Sequence, residues 1–314
     1  MNAGGGPAPT SVWHRRSTED IAVMILVTGA AGTTGSEVVR LLAAKGIRVR
    51  AMVRHADKGK QFHSPGVEVV VADLEKPTTL DPALKGVDKV FLVSSPDPRV
   101  GLLHGNLIES AKRAGVKQIV RLSVIGAAAN SPSQLQKWHG EVDERLSRSG
   151  LSYVILRPQS FMQNLLASRA SMQSEGKLYA PMKDAKLSLV DARDVAAAAA
   201  AILTSEGHSG RIYELSGPEA LPYAMIAEKL GAAMGRTVQY VDVPPDAARE
   251  GMVAAGYPAW LAEAVVELFA IQATGATATV SGSVEKLTGK KPRSLDQFAK
   301  DFAAIFSGTL PAEA

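Results

Sequence analysis

Between Thr28 and Gly35 the chain reads Thr-Gly-Ala-Ala-Gly-Thr-Thr-Gly, directly after the apolar run Met24-Ile25-Leu26-Val27. Glycines at this spacing bind anions. Gly29 permits a tight turn, Gly32 lets the backbone approach a pyrophosphate, and Gly35 lets a helix pack closely on the preceding strand. Thr33 and Thr34 open that helix, where free N–H groups and the positive dipole end meet phosphate. The pattern predicts a dinucleotide site.

Which dinucleotide is decided after the second apolar run, where NAD-preferring sites carry an acid about 20 residues past the glycines. Here the sequence is Met52-Val53-Arg54-His55-Ala56-Asp57-Lys58. The Arg54 guanidinium offers bidentate bonds to a ribose 2′-phosphate, and Lys58 adds charge. The expectation is therefore NADPH rather than NADH. The alternative leaves Arg54 solvated and puts Asp57 on the ribose. Asp73 follows the third run and is placed to meet adenine. Ser94 and Ser95 end the fourth, at the carboxyl edge where open α/β sheets bind ligands. They line the cofactor groove, unless they are only polar strand termini.

These residues need a scaffold that brings strand ends together, and the rest of the sequence supplies one. Short runs rich in Val and Ile at 23–28, 48–53, 67–71, 89–94, 118–123 and 152–156 alternate with stretches of helical spacing, the signature of a parallel sheet with crossover helices. Leu103, Leu107, Ala111 and Ala114 predict one helical stripe, and Leu135, Trp138, Val142 and Leu146 another. After Arg157-Pro158 the rhythm loosens, with strands predicted at 187–190 and 211–215 and helices at 191–203 and 222–234. Asp191 is read as the cap of its helix and Arg193 as an ion-pair partner.

The predicted fold class is α/β: a Rossmann doubly wound parallel sheet with a smaller C-terminal α+β substrate lobe. Residues 1–20 read as a disordered leader and 21–157 as the nucleotide-binding domain. Residues 158–314 read mainly as the substrate lobe, with some segments returning to the sheet.

Composition narrows the function. The 35 Lys and Arg are scattered among 31 Asp and Glu, for a net charge of +4, so no basic tract marks a nucleic-acid footprint. There is no cysteine, hence no disulfide, thiolate nucleophile or Cys-ligated metal, and redox chemistry must come from a cofactor. That usage fits a cytoplasmic protein. No apolar run reaches the length of about 18 to 20 residues that a membrane span needs, and the leader has no apolar core for a secretory signal. No His/Asp/Glu cluster has metal-ligand spacing, and no G-x-S-x-G elbow is present.

Several segments together carry a family resemblance. They are Leu26-Val27-Thr28-Gly29 with its glycine turn, Arg54, Phe91-Leu92-Val93-Ser94-Ser95, the block from Ser149 to Pro158, and Phe161-Met162-Gln163-Asn164. With these the chain resembles the NmrA-like atypical short-chain dehydrogenase/reductases, in their NADPH-dependent quinone oxidoreductase and triphenylmethane reductase branch. The resemblance implies NADPH, a C-terminal lobe over the substrate, and an electron-poor aromatic acceptor such as a quinone, an azo dye or a cationic dye. It also implies a rival, because some NmrA-like proteins bind NADP(H) without catalysis and act as regulators.

Within that superfamily most reductases use a Tyr-x-x-x-Lys pair as their acid, and none of the six tyrosines here lies on the helix after the fifth strand. His139 borders the stripe of that helix and is the acid/base candidate, with a satisfied surface histidine as the other reading. Ser123, ending the fifth strand, is the second catalytic candidate, placed to orient the acceptor or the carboxamide. Phe161, Met162 and Asn164 are expected in the pocket wall, although Phe161 and Met162 suit a core equally well. Hydride transfer to a quinone relies mainly on positioning, since the acceptor is already electrophilic. A monomer or homodimer acting on a small aromatic molecule is the expected assembly.

Overall fold

Met24-Ile25-Leu26-Val27 is apolar on every residue, as a strand covered on both faces must be, and it forms an interior strand of the sheet. The computed structural model describes Met1 and residues 23–310; the expected leader lies almost wholly outside the described residues. β1 (Met24–Val27), β2 (Arg48–Val53), β3 (Val67–Val71), β4 (Lys89–Leu92), β5 (Gln118–Leu122) and β6 (Ser152–Pro158) are all parallel. They alternate with α1 (Thr33–Ala44), α2 (Ala56–Gly59), α3 (Pro77–Leu84), α4 (Val100–Ala114) and α5 (Gln134–Ser147). β1, β4 and β5 end one or two residues earlier than the sequence pattern predicts. Thr28, Ser94 and Ser123 therefore sit on the loops that leave the carboxyl edge.

Past Pro158 a 3₁₀ turn (Met162–Ser168), α6 (Arg169–Glu175), β7 (Lys177–Ala180) and β8 (Lys186–Leu187) build the start of a lobe. The chain then returns to the sheet. α7 (Ala192–Leu203) packs beside α1, and β9 (Arg211–Leu215) pairs in parallel with β6 as a seventh strand. The sheet order is β3-β2-β1-β4-β5-β6-β9. β10 (Leu221–Pro222), α8 (Tyr223–Met234), β11 (Gln239–Asp242), α9 (Pro245–Ala254) and α10 (Ala259–Gln272) complete most of the lobe. α11 (Ser283–Thr288) goes back against α7 and β9, and α12 (Leu295–Asp301) and α13 (Ala303–Phe306) pack on the lobe.

Three cores result. α1 and α7 cover one face of the sheet, around Val27, Val38, Phe91 and Ala196. α3, α4 and α5 cover the other, around Leu80, Leu107, Ile119 and Val142. The lobe has its own core around Met162, Leu189, Leu230 and Phe298. Asp191 caps α7 by accepting the Arg193 N–H at 2.8 Å, and Arg193 pairs with Asp191 and Asp301. Among the described residues no helix is long and apolar enough to cross a membrane.

Two helical stripes differ from the sequence expectation. On α4 Leu103, Leu107 and Ala111 are buried, but Ala114 is exposed at the last turn. On α5 Val142 and Leu146 are buried as expected, whereas Leu135 and Trp138 are only half-buried. The Trp138 ring meets Trp260 of α10 edge-on at 6.0 Å. The face of α5 turned to the sheet carries Gln136, Gly140 and Asp143 instead. Gly140 is required there, because a Cβ would lie 2.2 Å from the Ala128 carbonyl carbon. Gln136 is tolerated because its amide donates to the Ile125 carbonyl at 2.9 Å and accepts from Ser131 at 2.7 Å.

Candidate active site

The glycine turn is assembled by a side-chain latch between strand ends. The Thr28 hydroxyl donates to the Val93 carbonyl at 2.6 Å and accepts the Val93 N–H at 2.8 Å, which ties the end of β1 to the end of β4. Gly29 follows in the left-handed region, φ +52°, with Val93 so close that an added Cβ would sit 2.9 Å from its carbonyl oxygen. The Gly32 N–H closes the turn on the Gly29 carbonyl at 2.9 Å. At Gly35 a Cβ would fall 2.2 Å from the Gly29 carbonyl oxygen, so no side chain fits. α1 then starts at Thr33 with no side-chain cap and no acid in its first turn. Its leading N–H groups are left for an anion.

Arg54 is the residue after β2 and is exposed, as is Lys58 on α2. Arg99, and more weakly Arg54, hold the Asp97 carboxyl below its usual range; the ion pair is with Arg99. Asp73 is half-buried after β3, where its carboxylate accepts the Glu75 N–H at 3.0 Å. Ser94 is half-buried and bonded to His104 Nε2 at 3.0 Å, while Ser95 is exposed. The residues present fit NADPH: the glycine turn leaves no room for a Cβ at Gly29 or Gly35, the leading N–H groups of α1 are uncapped, and exposed Arg54 and Lys58 follow β2.

Beneath the carboxyl edge of β5 lies a buried polar cluster. Arg121 is 0% exposed, and Asp143 and His104 are also buried. Arg121 is ion-paired to Asp143, and its Nε donates to His104 Nδ1 at 3.2 Å and its Nη2 to His139 Nδ1 at 3.1 Å. Arg157 of β6 grips the second Asp143 oxygen at 2.9 Å, and Ser123 donates its hydroxyl to that same oxygen at 2.9 Å. Burial draws Arg121 down to about 10, against the pull of Asp143, so it remains a cation at neutral pH. Desolvation first, and Arg121 second, hold both histidines well below the ordinary 6.5.

His139 and Ser123 thus belong to one cluster, joined through Arg121 and Asp143. Phe161 is half-buried, bridges to Val190 and packs against the sheet core. Met162 is 1% exposed inside the lobe core. Asn164 is exposed on the 3₁₀ turn. Sequence reasoning missed Arg121, Asp143, His104 and Arg157. The available signal was Arg121 itself, a charge in the run Ile119-Val120-Arg121-Leu122, since a buried guanidinium requires a partner.

A model of the NmrA-like family matches residues 22–299. The chain belongs to that family. It is 42% identical over 283 residues to the NAD(P)H azoreductase of Xenophilus azovorans, covering 90% of this chain and 99% of the relative. The NADPH-dependent quinone oxidoreductase of Escherichia coli, solved with NADPH, superposes with a TM-score of 0.82 at 30% identity, over 89% of this chain and 99% of that one. The triphenylmethane reductase of Citrobacter sp. superposes with a TM-score of 0.79 at 26% identity, over the same shares.

Proposed function

We propose that this chain is an NADPH-dependent reductase whose acceptor is a quinone or a related conjugated aromatic, azo and cationic dyes included. One observation carries the reading: an intact dinucleotide cradle stands beside a cluster whose histidines are held neutral and which contains no Tyr-Lys acid. Such a site suits an acceptor that needs orientation more than protonation. The likeness to an azoreductase and to quinone and triphenylmethane reductases supports catalysis over the regulatory reading.

When bound, NADPH supplies the hydride. Gly29, Gly32, Gly35, Thr33 and Thr34 hold its diphosphate, Arg54 and Lys58 the 2′-phosphate, Asp73 the adenosine end, and Ser94 and Ser95 the groove between. Ser123 and His139 border the reacting end, and Phe161 and Asn164 flank it from the lobe while Met162 backs them. Orientation in such a site supplies several kcal/mol, on the order of 7 to 11 in the best intramolecular models. We further propose a cytoplasmic monomer or homodimer that acts on small molecules and not on nucleic acid, a reading supported by the absence of cysteine and by scattered charge.

The test is to follow NADPH and NADH oxidation by the purified protein across a panel of quinones, azo dyes and cationic dyes. Turnover of at least one class with NADPH preferred is expected. Tight NADPH binding with no acceptor turned over would leave only the regulatory reading.

A further inference from the structure

We infer that Arg121 is a positioning residue that fixes His104 and His139 together as neutral imidazoles protonated on Nε2, so that α5 presents the acceptor with a hydrogen-bond donor that does not titrate. The inference rests on the reductase reading only for what that donor meets; the tautomers follow from the geometry alone.

A guanidinium has five N–H donors and no acceptor. Arg121 reaches Nδ1 of His104 at 3.2 Å and Nδ1 of His139 at 3.1 Å. Each Nδ1 must therefore offer its lone pair, and the single proton of each neutral ring must reside on Nε2. In His104 that proton goes to Ser94 Oγ at 3.0 Å. Ser94 then accepts, and its own hydrogen is free for the cofactor groove. Among the described residues the His139 Nε2, across the ring from Arg121, has no hydrogen-bond partner and is not one of the fully enclosed side-chain atoms that lack one. Of the two ring N–H groups in the cluster it is the one left for a ligand, since that of His104 is taken by Ser94.

The same arrangement resists a second proton. His139 is faced by Arg121 from β5, which also donates to its carbonyl at 3.4 Å, by Asp143 on its own helix, and through these by His104 from α4 and Arg157 from β6. On the α10 side Glu267 accepts the Gln134 N–H at the start of α5 at 2.7 Å. Asp143 already serves two guanidiniums and the Ser123 hydroxyl. An imidazolium here would be a third cation on one carboxylate, and it would have to give up the Arg121 bond. A neutral N–H still stabilises a developing oxyanion, as a fixed dipole aimed at it.

The experiment uses the full chain labelled with ¹⁵N-histidine, with long-range ¹H–¹⁵N spectra recorded across about pH 5.5 to 8 and the two rings assigned with His104→Gln and His139→Gln. Both rings are expected as Nε2–H tautomers throughout. A Nδ1–H tautomer, or conversion of either ring to imidazolium in that range, would overturn the inference. Arg121→Met supplies the second arm. Here the His139 Nδ1 loses its Arg121 donor and can take a proton, so His139 should titrate at a higher pH than in the parent, short of the free value because its burial persists, and the pH profile of kcat/KM, flat in the parent, should acquire that step. A merely structural Arg121 would lower the rate and leave the profile flat, which would overturn the inference. Where Arg121→Met does not fold, the parent spectra decide. If no acceptor is turned over, the reductase reading fails while the spectra still report the tautomers.

Discussion

Arg54 makes no structural demand on the fold, and that makes it a clean probe. It is exposed, one residue beyond β2, so Arg54→Gln should leave stability within about 0.5 kcal/mol. NADPH binding should weaken by about tenfold or more with NADH nearly unchanged, since a charge-assisted bidentate pair is lost only where the 2′-phosphate exists. Isothermal titration with both dinucleotides checks this, and equal losses would return Arg54 to the solvent. At this scale legibility followed sequence distance. Gly29, Gly32 and Gly35 act on one another within a single turn, so their spacing reveals them. Arg121 is partnered by residues of α4 and α5, and no local pattern joins His104, Arg121, His139 and Asp143. Met162 shows the same limit, because an apolar side chain suits a pocket wall and a lobe core equally until the neighbours are known.

At the scale of elements, α5 is where periodicity alone was insufficient. Its apolar residues serve two partners: Val142 and Leu146 meet the sheet, while Trp138 meets Trp260 of α10. Its polar residues Gln136 and Asp143 occupy the sheet side because strand and loop groups satisfy them. Removing that satisfaction should be costly. Asp143→Ala leaves Arg121 buried without its counter-ion, and a loss of roughly 3 to 5 kcal/mol is expected from breaking one side of a buried pair. Urea unfolding measures it; a loss under about 1 kcal/mol would mean that the pair behaves as a solvated one. The strands were legible because each is a short run rich in Val, Ile or Leu bounded by turn residues. β9 was legible as a strand, but its place beside β6 depends on where the chain goes between 159 and 210.

For the whole molecule, the neutral histidines set a pH dependence of stability. Their folded pKa values lie well below 6.5, so as pH falls through 6.5 the unfolded chain takes up protons that the folded chain refuses. This contribution is complete above 6.5 and is lost progressively below it, at up to about 1.4 kcal/mol per pH unit for each histidine. Asp88, with Lys117 as the main cause, and Asp97 have carboxyls held below 3.8, and they add their own loss only in a more acidic window. Denaturant titrations between about pH 7 and 5 should show a falling stability whose slope is reduced in His104→Gln. An unchanged slope would place the proton uptake elsewhere.

The alternation of lobe and sheet after Pro158 bears on how such a protein can be recombined. Lobe segments 159–190, 216–282 and 289–310 are interleaved with α7, β9 and α11, which return to the nucleotide-binding half. A chimera joined to a relative at 157 would exchange not only the lobe proposed to hold the acceptor but also a strand of the sheet and the helix that shelters α1. Grafting acceptor preference between relatives therefore calls for three cassettes with their seams at strand and helix ends, inherited together or not at all.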